Sequence, residues 1–175
     1  MQRGVLGVAL ALAALVALPV AVQATDARGN HATYHFVAGM APAVGPDQAT
    51  ASNGSTVDLT GSGTFMAGPG MFASGGGTYT IKNASGSVTS TGSWTVTGMQ
   101  GFVNYGDGAA QGLPGVNGGQ LRVMVALSNG TAGVLTVTCE LGSPPAGQHE
   151  GVTLVLGPGG NYTKSTGGET AFVPA

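Results

Sequence analysis

Apolar and polar residues alternate with a period of two along most of the chain from residue 31 onwards. In 55–65, Val57, Leu59 and Phe65 share one parity, while threonines and serines occupy most of the other. Such alternation predicts strands with one face in a core and the other in water, as is typical of antiparallel sheets. No window shows the apolar stripe of a helix. The predicted strands are 31–38, 55–65, 77–82, 87–99, 100–105, 120–128, 133–141, 151–156 and a C-terminal pair around Tyr162 and Phe172.

Turn-forming residues separate several of these strands. Residues 83–86 (Asn-Ala-Ser-Gly) and 128–131 (Ser-Asn-Gly-Thr) lie between alternating runs and predict hairpin turns. Three longer stretches, 39–54, 106–119 and 142–150, are rich in Gly, Ala and Pro and are predicted to be irregular loops. None of them has the composition of a linker that would divide the chain, so one domain is expected.

Glycines inside the longest predicted strands favour a curved sheet. Gly61, Gly63, Gly92 and Gly98 fall on the core-facing parity of their strands. Glycine within a strand is tolerated where the strand must bend. About eight strands with such bends predict an all-β fold, an antiparallel β-barrel, with a two-sheet β-sandwich as the alternative. A barrel of that size either is filled by side chains or holds one small ligand.

The first 24 residues have the pattern of a secretory signal peptide. Arg3 supplies a positive charge, 5–20 is an uncharged apolar run, and Val22-Gln23-Ala24 provides the small residues of a cleavage site. The alternative is an N-terminal membrane anchor, because the apolar run is close to the length that a spanning helix needs. We expect 1–24 to be removed and 25–175 to be a single all-β domain that is secreted and not attached to a membrane.

Composition narrows the function classes. Charged residues make up only 7% of the chain and the formal net charge is -2, which argues against nucleic acid as a partner. A hydrophobic fraction of 42% with so little charge argues against disorder. The one cysteine, Cys139, cannot form an internal disulfide. It shares the apolar parity of Leu135 and Val137, so it is predicted to be buried and inert.

Aromatic residues on successive strands offer a candidate binding site. Trp94 alternates in phase with Val88 and is predicted to be buried. Most aromatic residues are expected to pack in the core, but an apolar pocket inside the barrel would bring Tyr34 and Trp94 to a small ligand. Arg122 would supply a further polar contact. The alternative for Arg122 is a solvated side chain or an ion pair with Glu140 across a hairpin.

No motif for a metal, a nucleotide or a catalytic group is well formed. His31 and His35 would lie about 13 Å apart on one strand face, too far to share an ion, and only His149 from a distant loop could join either. The Gly-rich run before Lys164 has Thr163 where a phosphate-binding loop needs glycine, and no helix follows. We expect no cofactor and assign no catalytic residue.

Several Gly-, Ser- and Thr-rich runs resemble those of a group of small exported bacterial proteins of unknown activity. The runs are 61–65, 75–80, 86–88, 94–97 and 141–145, the last preceded by the strand that carries Cys139. The resemblance covers most of the chain after the signal peptide and implies no activity. The barrel outline is similar to the dirigent and allene oxide cyclase folds, a likeness of architecture that assigns no function and matches no catalytic residue.

Together these features predict an exported, non-catalytic binding or surface-interaction module, which holds a small apolar ligand in the barrel or associates with itself. Two alternatives stay open. One is a small-ligand enzyme, of isomerase or cyclase type, that uses the barrel interior. The other is an adhesive or structural protein whose contact surface is formed by the threonine-rich strand faces.

Overall fold

The computed structural model describes residues 31–39 and 45–175, and the predicted signal peptide, 1–24, lies outside them. The described residues form ten β-strands and two short 3-10 turns, at Ala109–Gln111 and Gly157–Gly159. The strands are β1 (Ala32–Ala38), β2 (Asp47–Ala51), β3 (Thr56–Ala67), β4 (Phe72–Lys82), β5 (Val88–Gly108), β6 (Leu113–Leu127), β7 (Ala132–Cys139), β8 (Gly151–Val155), β9 (Asn161–Gly167) and β10 (Thr170–Pro174).

All ten strands belong to one antiparallel sheet that closes on itself. Eight of them form a ring that runs from β2 through β9 in chain order, with β9 pairing back to β2. β1 and β10 make a second connection, because β1 pairs with the C-terminal half of β3 and β10 pairs with β6 at Asn117. The predicted all-β antiparallel fold is confirmed. Since β3 and β6 each change partner along their length, the sheet is a closed ring rather than a strict barrel.

Both predicted hairpin turns are present. Across the turn between β4 and β5, the Asn83 N–H donates to the Ser87 carbonyl at 2.9 Å. Across the turn between β6 and β7, the Leu127 N–H donates to the Thr131 carbonyl at 2.8 Å. These turns bring strands that are neighbours in sequence side by side, which accounts for the meander from β3 to β7.

Part of the sheet lies where the sequence predicted loops. β2 falls within 39–54 and pairs with β3 on one side and β9 on the other. Most of 106–119 belongs to β5 and β6. These loop predictions are wrong because Asp, Gln, Ala, Asn and Gly have low intrinsic β propensity, and only the pairing with longer neighbouring strands makes these segments extended.

β5 is one long strand, although the alternation predicted two, 87–99 and 100–105. Its register against β6 shifts repeatedly, and one shift lies between Val96 and Gly98. Each bulge inserts an unpaired residue and bends the strand without ending it. This bulge also makes the predicted direction of Gly98 wrong, because Gly98 pairs with the exposed Met124 and so faces outward.

Facing glycines of β3 and β4 make room for two aromatic side chains in the core. The facing pairs are Gly61 with Gly77 and Gly63 with Gly75. A Cβ atom at Gly61 would collide with the indole of Trp94, and one at Gly63 would collide with the ring of Phe36. The rings therefore lie directly on the backbone of the two strands. The core-facing direction that the sequence predicted for Gly61 and Gly63 agrees with these contacts.

Candidate functional site

The interior next to β1 is filled by aromatic rings. Tyr34 stacks on Phe65 with ring centroids 5.1 Å apart, and it lies 5.2 Å from Phe102. Phe172 packs edge-on against Phe65 at 5.8 Å and against Phe102 at 5.2 Å. The Tyr34 hydroxyl accepts a hydrogen bond from the Asn104 side chain at 3.3 Å, and burial raises its pKa. Tyr34 is thus a core residue with a satisfied hydroxyl.

Trp94 is also a core residue. Only 2% of its surface is exposed, and its indole N–H donates to the Thr60 carbonyl at 3.1 Å. Val88, which the alternation placed in phase with Trp94, is 59% exposed. Val88 is the first residue of β5 and pairs with Lys82, next to a shift in the β4–β5 register. The predicted burial of Trp94 therefore agrees with the structure, whereas burial of Val88 does not.

The structure does not bring Arg122 to the two aromatic residues. Arg122 is exposed on β6, between the buried Leu121 and Val123. Its cross-strand partners are Gly101 and Thr136 rather than Glu140. Tyr34 and Trp94 face the interior and Arg122 faces solvent, so these three residues do not line one cavity.

The three histidines lie on the surface and the cysteine is buried. His31, His35 and His149 are exposed, and no group of three or more metal-ligating side chains occurs among the described residues. Cys139 is 1% exposed. Burial, together with the charge of Glu150, raises the pKa of its thiol to about 11, although hydrogen bonds near Leu141 and Thr170 oppose the rise. The burial predicted for Cys139 agrees with the structure, and a raised pKa disfavours the thiolate form that reacts.

An apolar groove of about 490 Å³ lies outside the ring, beside the β1–β10 strip. Its floor comes from outward-facing residues of β1 and β10, and its walls come from the start of β6 and the segment after β7. The apolar lining residues are Val37, Leu113, Val116, Leu141, Ala171 and Val173. Leu113 is 49% exposed and Val173 is 39% exposed. Large apolar side chains are thus in contact with water in a concave surface, which is a common form of ligand site.

Two carboxylates, Glu150 and Glu169, line one side of this groove. Glu150 is held in place by three contacts: its Oε2 accepts from the Glu140 N–H at 2.6 Å, and its Oε1 accepts from the Thr170 N–H at 2.8 Å and lies 2.6 Å from the Thr170 hydroxyl. The Thr138 carbonyl lies 2.7 Å from the same hydroxyl, whose single proton is shared between this carbonyl and Glu150. The Glu150 carboxylate is therefore fixed before any ligand arrives.

A third carboxyl, Asp47, is fully buried near these two. Within the described residues, neither of its oxygens accepts a hydrogen bond. Burial, reinforced by repulsion from Glu150 and Glu169, raises the pKa of Asp47 to about 7. The nearby Gly39 backbone N–H lowers the pKa of Asp47, but it opposes that rise only in part, because its hydrogen bond goes to the Glu169 carbonyl at 3.2 Å.

None of the described residues that line the groove carries a positive charge. Among residues 31–39 and 45–175, the only ion pair joins Lys82 to Asp58 on another face, at 2.6 Å. The described groove is therefore an apolar surface with uncompensated negative charge along one side.

Threonines form a ladder on the outer face of β3, β4 and β5. The hydroxyls of Thr60 and Thr78 lie 2.8 Å apart, and those of Thr80 and Thr91 lie 3.4 Å apart. The Thr91 hydroxyl also donates to the Tyr79 carbonyl at 3.1 Å. Because these hydroxyls bond within the sheet, much of their hydrogen-bonding capacity is already used, and the ladder is a weaker candidate for recognition than the groove.

Comparison with known proteins gives no family for this chain: no family model, no curated protein and no solved structure matches it. The resemblance to small exported proteins and to dirigent-like barrels therefore stays a prediction. Within the described part of the chain, no helix has the length and apolar character needed to cross a membrane.

Sequence reasoning missed the groove, although one signal for it exists. Residues 171–173 (Ala-Phe-Val) are three consecutive apolar residues and depart from strict alternation, as 36–38, 123–127 and 154–156 also do. Such a break indicates a strand with apolar contacts on both faces. Phe172 packs inward, while Ala171 and Val173 line the groove. The other walls come from segments far apart in sequence and could not be assembled from the pattern.

Proposed function

We propose that this protein is an exported, non-catalytic binding module that holds a small apolar ligand in the groove formed by β1, β10 and the start of β6. The observation that carries this proposal is a concave surface of about 490 Å³ with a mainly apolar lining, in which Leu113 and Val173 are exposed to water. The interior is an unsuitable place for the ligand, because the rings of Tyr34, Phe65 and Phe172 occupy it. Cys139 borders the groove, but its thiol is buried and its raised pKa disfavours the thiolate, which favours binding over catalysis.

The first test is binding of a neutral fluorescent probe, N-phenyl-1-naphthylamine. We expect saturable binding, and we expect Val173→Ser to raise the Kd about fivefold, because losing about 1 kcal/mol of apolar contact has that effect. The measurement is a fluorescence titration at constant ionic strength.

Val103→Ser is the matched control for that titration. Val103 is 56% exposed on β5 and does not line the groove. The control variant should bind the probe like the unmodified protein. Absence of saturable binding, or an equal loss in both variants, would show that the groove is not the binding site.

Export is tested separately from binding. Residues 1–24 fall outside the described structure, so the proposal rests on Arg3, the apolar run 5–20 and the small residues that end at Ala24. N-terminal sequencing of protein recovered outside the cytoplasm of its own host should begin at Thr25. Material that begins at Met1 would show that the segment is retained, as the membrane-anchor alternative requires.

A further inference from the structure

The side chains around the groove point to a more specific ligand class. Resting on the function proposed above, we infer that the groove binds an apolar molecule that carries one cationic group, with the cation placed against Glu150 and Glu169. An alkylammonium ion represents this class.

The first support is the position of the charges. The apolar wall and the two carboxylates belong to the same concavity, so an apolar body and a cation can be bound together. Among the described residues, no lysine, arginine or histidine lines the groove to neutralise the carboxylates. In a chain with only seven acidic residues, the gathering of Glu150, Glu169 and nearby Asp47 concentrates negative charge at one place. An anionic ligand would be repelled there.

The second support is the preorganisation of Glu150. Its carboxylate is already oriented by the Glu140 and Thr170 backbone N–H groups, so little conformational freedom is lost when a cation binds. The partly buried setting also screens the interaction less than bulk water would. Glu169 is exposed and adds charge without a side-chain hydrogen bond within the described residues.

The third support is Asp47. Its carboxyl does not line the groove, but it is fully buried within range of the charges of Glu150 and Glu169 and has no hydrogen-bond partner among the described residues. A buried acid left in this position adds to the negative potential when it is ionised. A cation in the groove would offset part of the repulsion among the three carboxyl groups.

The test compares three probes that share one chain and differ in charge: octylammonium, octanol and octanoate. Each is titrated against protein loaded with N-phenyl-1-naphthylamine, at neutral pH and low ionic strength. We expect octylammonium to displace the neutral probe at the lowest concentration and octanoate at the highest. The advantage of octylammonium over octanol should shrink as salt is added.

The variant Glu169→Gln then tests the contribution of the Glu169 charge, because it removes that charge with little change in side-chain size. We expect it to weaken the binding of octylammonium about two- to fivefold, the range for an exposed ion pair, and to leave the affinity for octanol unchanged. Glu150 is left in place, because its carboxylate also accepts structural hydrogen bonds. Asp58→Asn is the matched control, since it makes the same change in net charge on the outer face of β3, away from the groove. This control should leave all three affinities unchanged.

The outcomes separate the two proposals. Equal displacement by all three probes, tighter binding of octanoate, or an equal effect of Glu169→Gln and Asp58→Asn would overturn the inferred cation preference while leaving apolar binding intact. Failure of the neutral probe and of all three octyl compounds to bind would overturn both proposals.

Discussion

Replacing Trp94 by alanine is expected to lower the free energy of unfolding by about 3 to 5 kcal/mol, the usual cost of truncating a buried tryptophan. The indole packs against the backbone of Gly61, so there is no side chain at that position to fill the space that the indole leaves. The substitution also removes the indole N–H, so the Thr60 carbonyl loses its hydrogen-bond donor. Chemical denaturation followed by circular dichroism measures the change.

Two further variants separate packing from other effects. Thr95→Ala is the control, because Thr95 is exposed next to Trp94 on β5 and should change the free energy of unfolding by less than about 0.5 kcal/mol. Trp94→Phe keeps an aromatic ring and should lower the free energy of unfolding by less than Trp94→Ala does. If Trp94→Ala and Thr95→Ala shift the unfolding midpoint equally, the inward direction of Trp94 is wrong.

Asp47→Asn is expected to stabilise the protein as the pH rises. The difference in the free energy of unfolding between this variant and the unmodified chain should be more favourable to the variant at pH 8 than at pH 4. The pKa of Asp47 is raised to about 7 in the folded chain, against 3.8 for the ordinary carboxyl. Between these values the unfolded chain releases a proton that the folded chain retains, so stability falls as the pH rises from about 4 to about 7. Asparagine does not titrate and avoids that loss.

The expected gain for Asp47→Asn between pH 4 and pH 8 is about 2 to 4 kcal/mol, since one pKa unit corresponds to about 1.4 kcal/mol. Urea unfolding of both proteins at each pH measures it. The comparison at pH 4 is the internal control, because both side chains are then uncharged in the folded protein and differences in size or hydrogen bonding cancel. Glu169→Gln, which removes a neighbouring negative charge, should reduce the pH dependence of the unmodified chain. A difference between the two proteins that does not vary with pH would contradict the raised pKa.

The sequence alone located most strands and their buried faces. Alternation is a local signal, because successive side chains of a strand point to opposite faces whatever the strand pairs with. It therefore predicted that Val57, Leu59 and Phe65 face inward, and the Asn-containing turns predicted the hairpins between β4 and β5 and between β6 and β7. The same signal failed at Val88 and Gly98, where a strand end and a bulge change the parity.

The tertiary structure alone decided the rest. β2 exists because β3 and β9 pair with its two edges, and its own residues have little preference for a strand. Closure of the sheet packs Tyr34 and Trp94 into the interior and leaves Arg122 in solvent, so the pocket predicted from their residue types does not assemble. The groove joins Val37, Leu113, Glu150 and Val173 from four separate parts of the chain. Such a site depends on which strands become neighbours, and a two-residue period carries no information about non-local pairing.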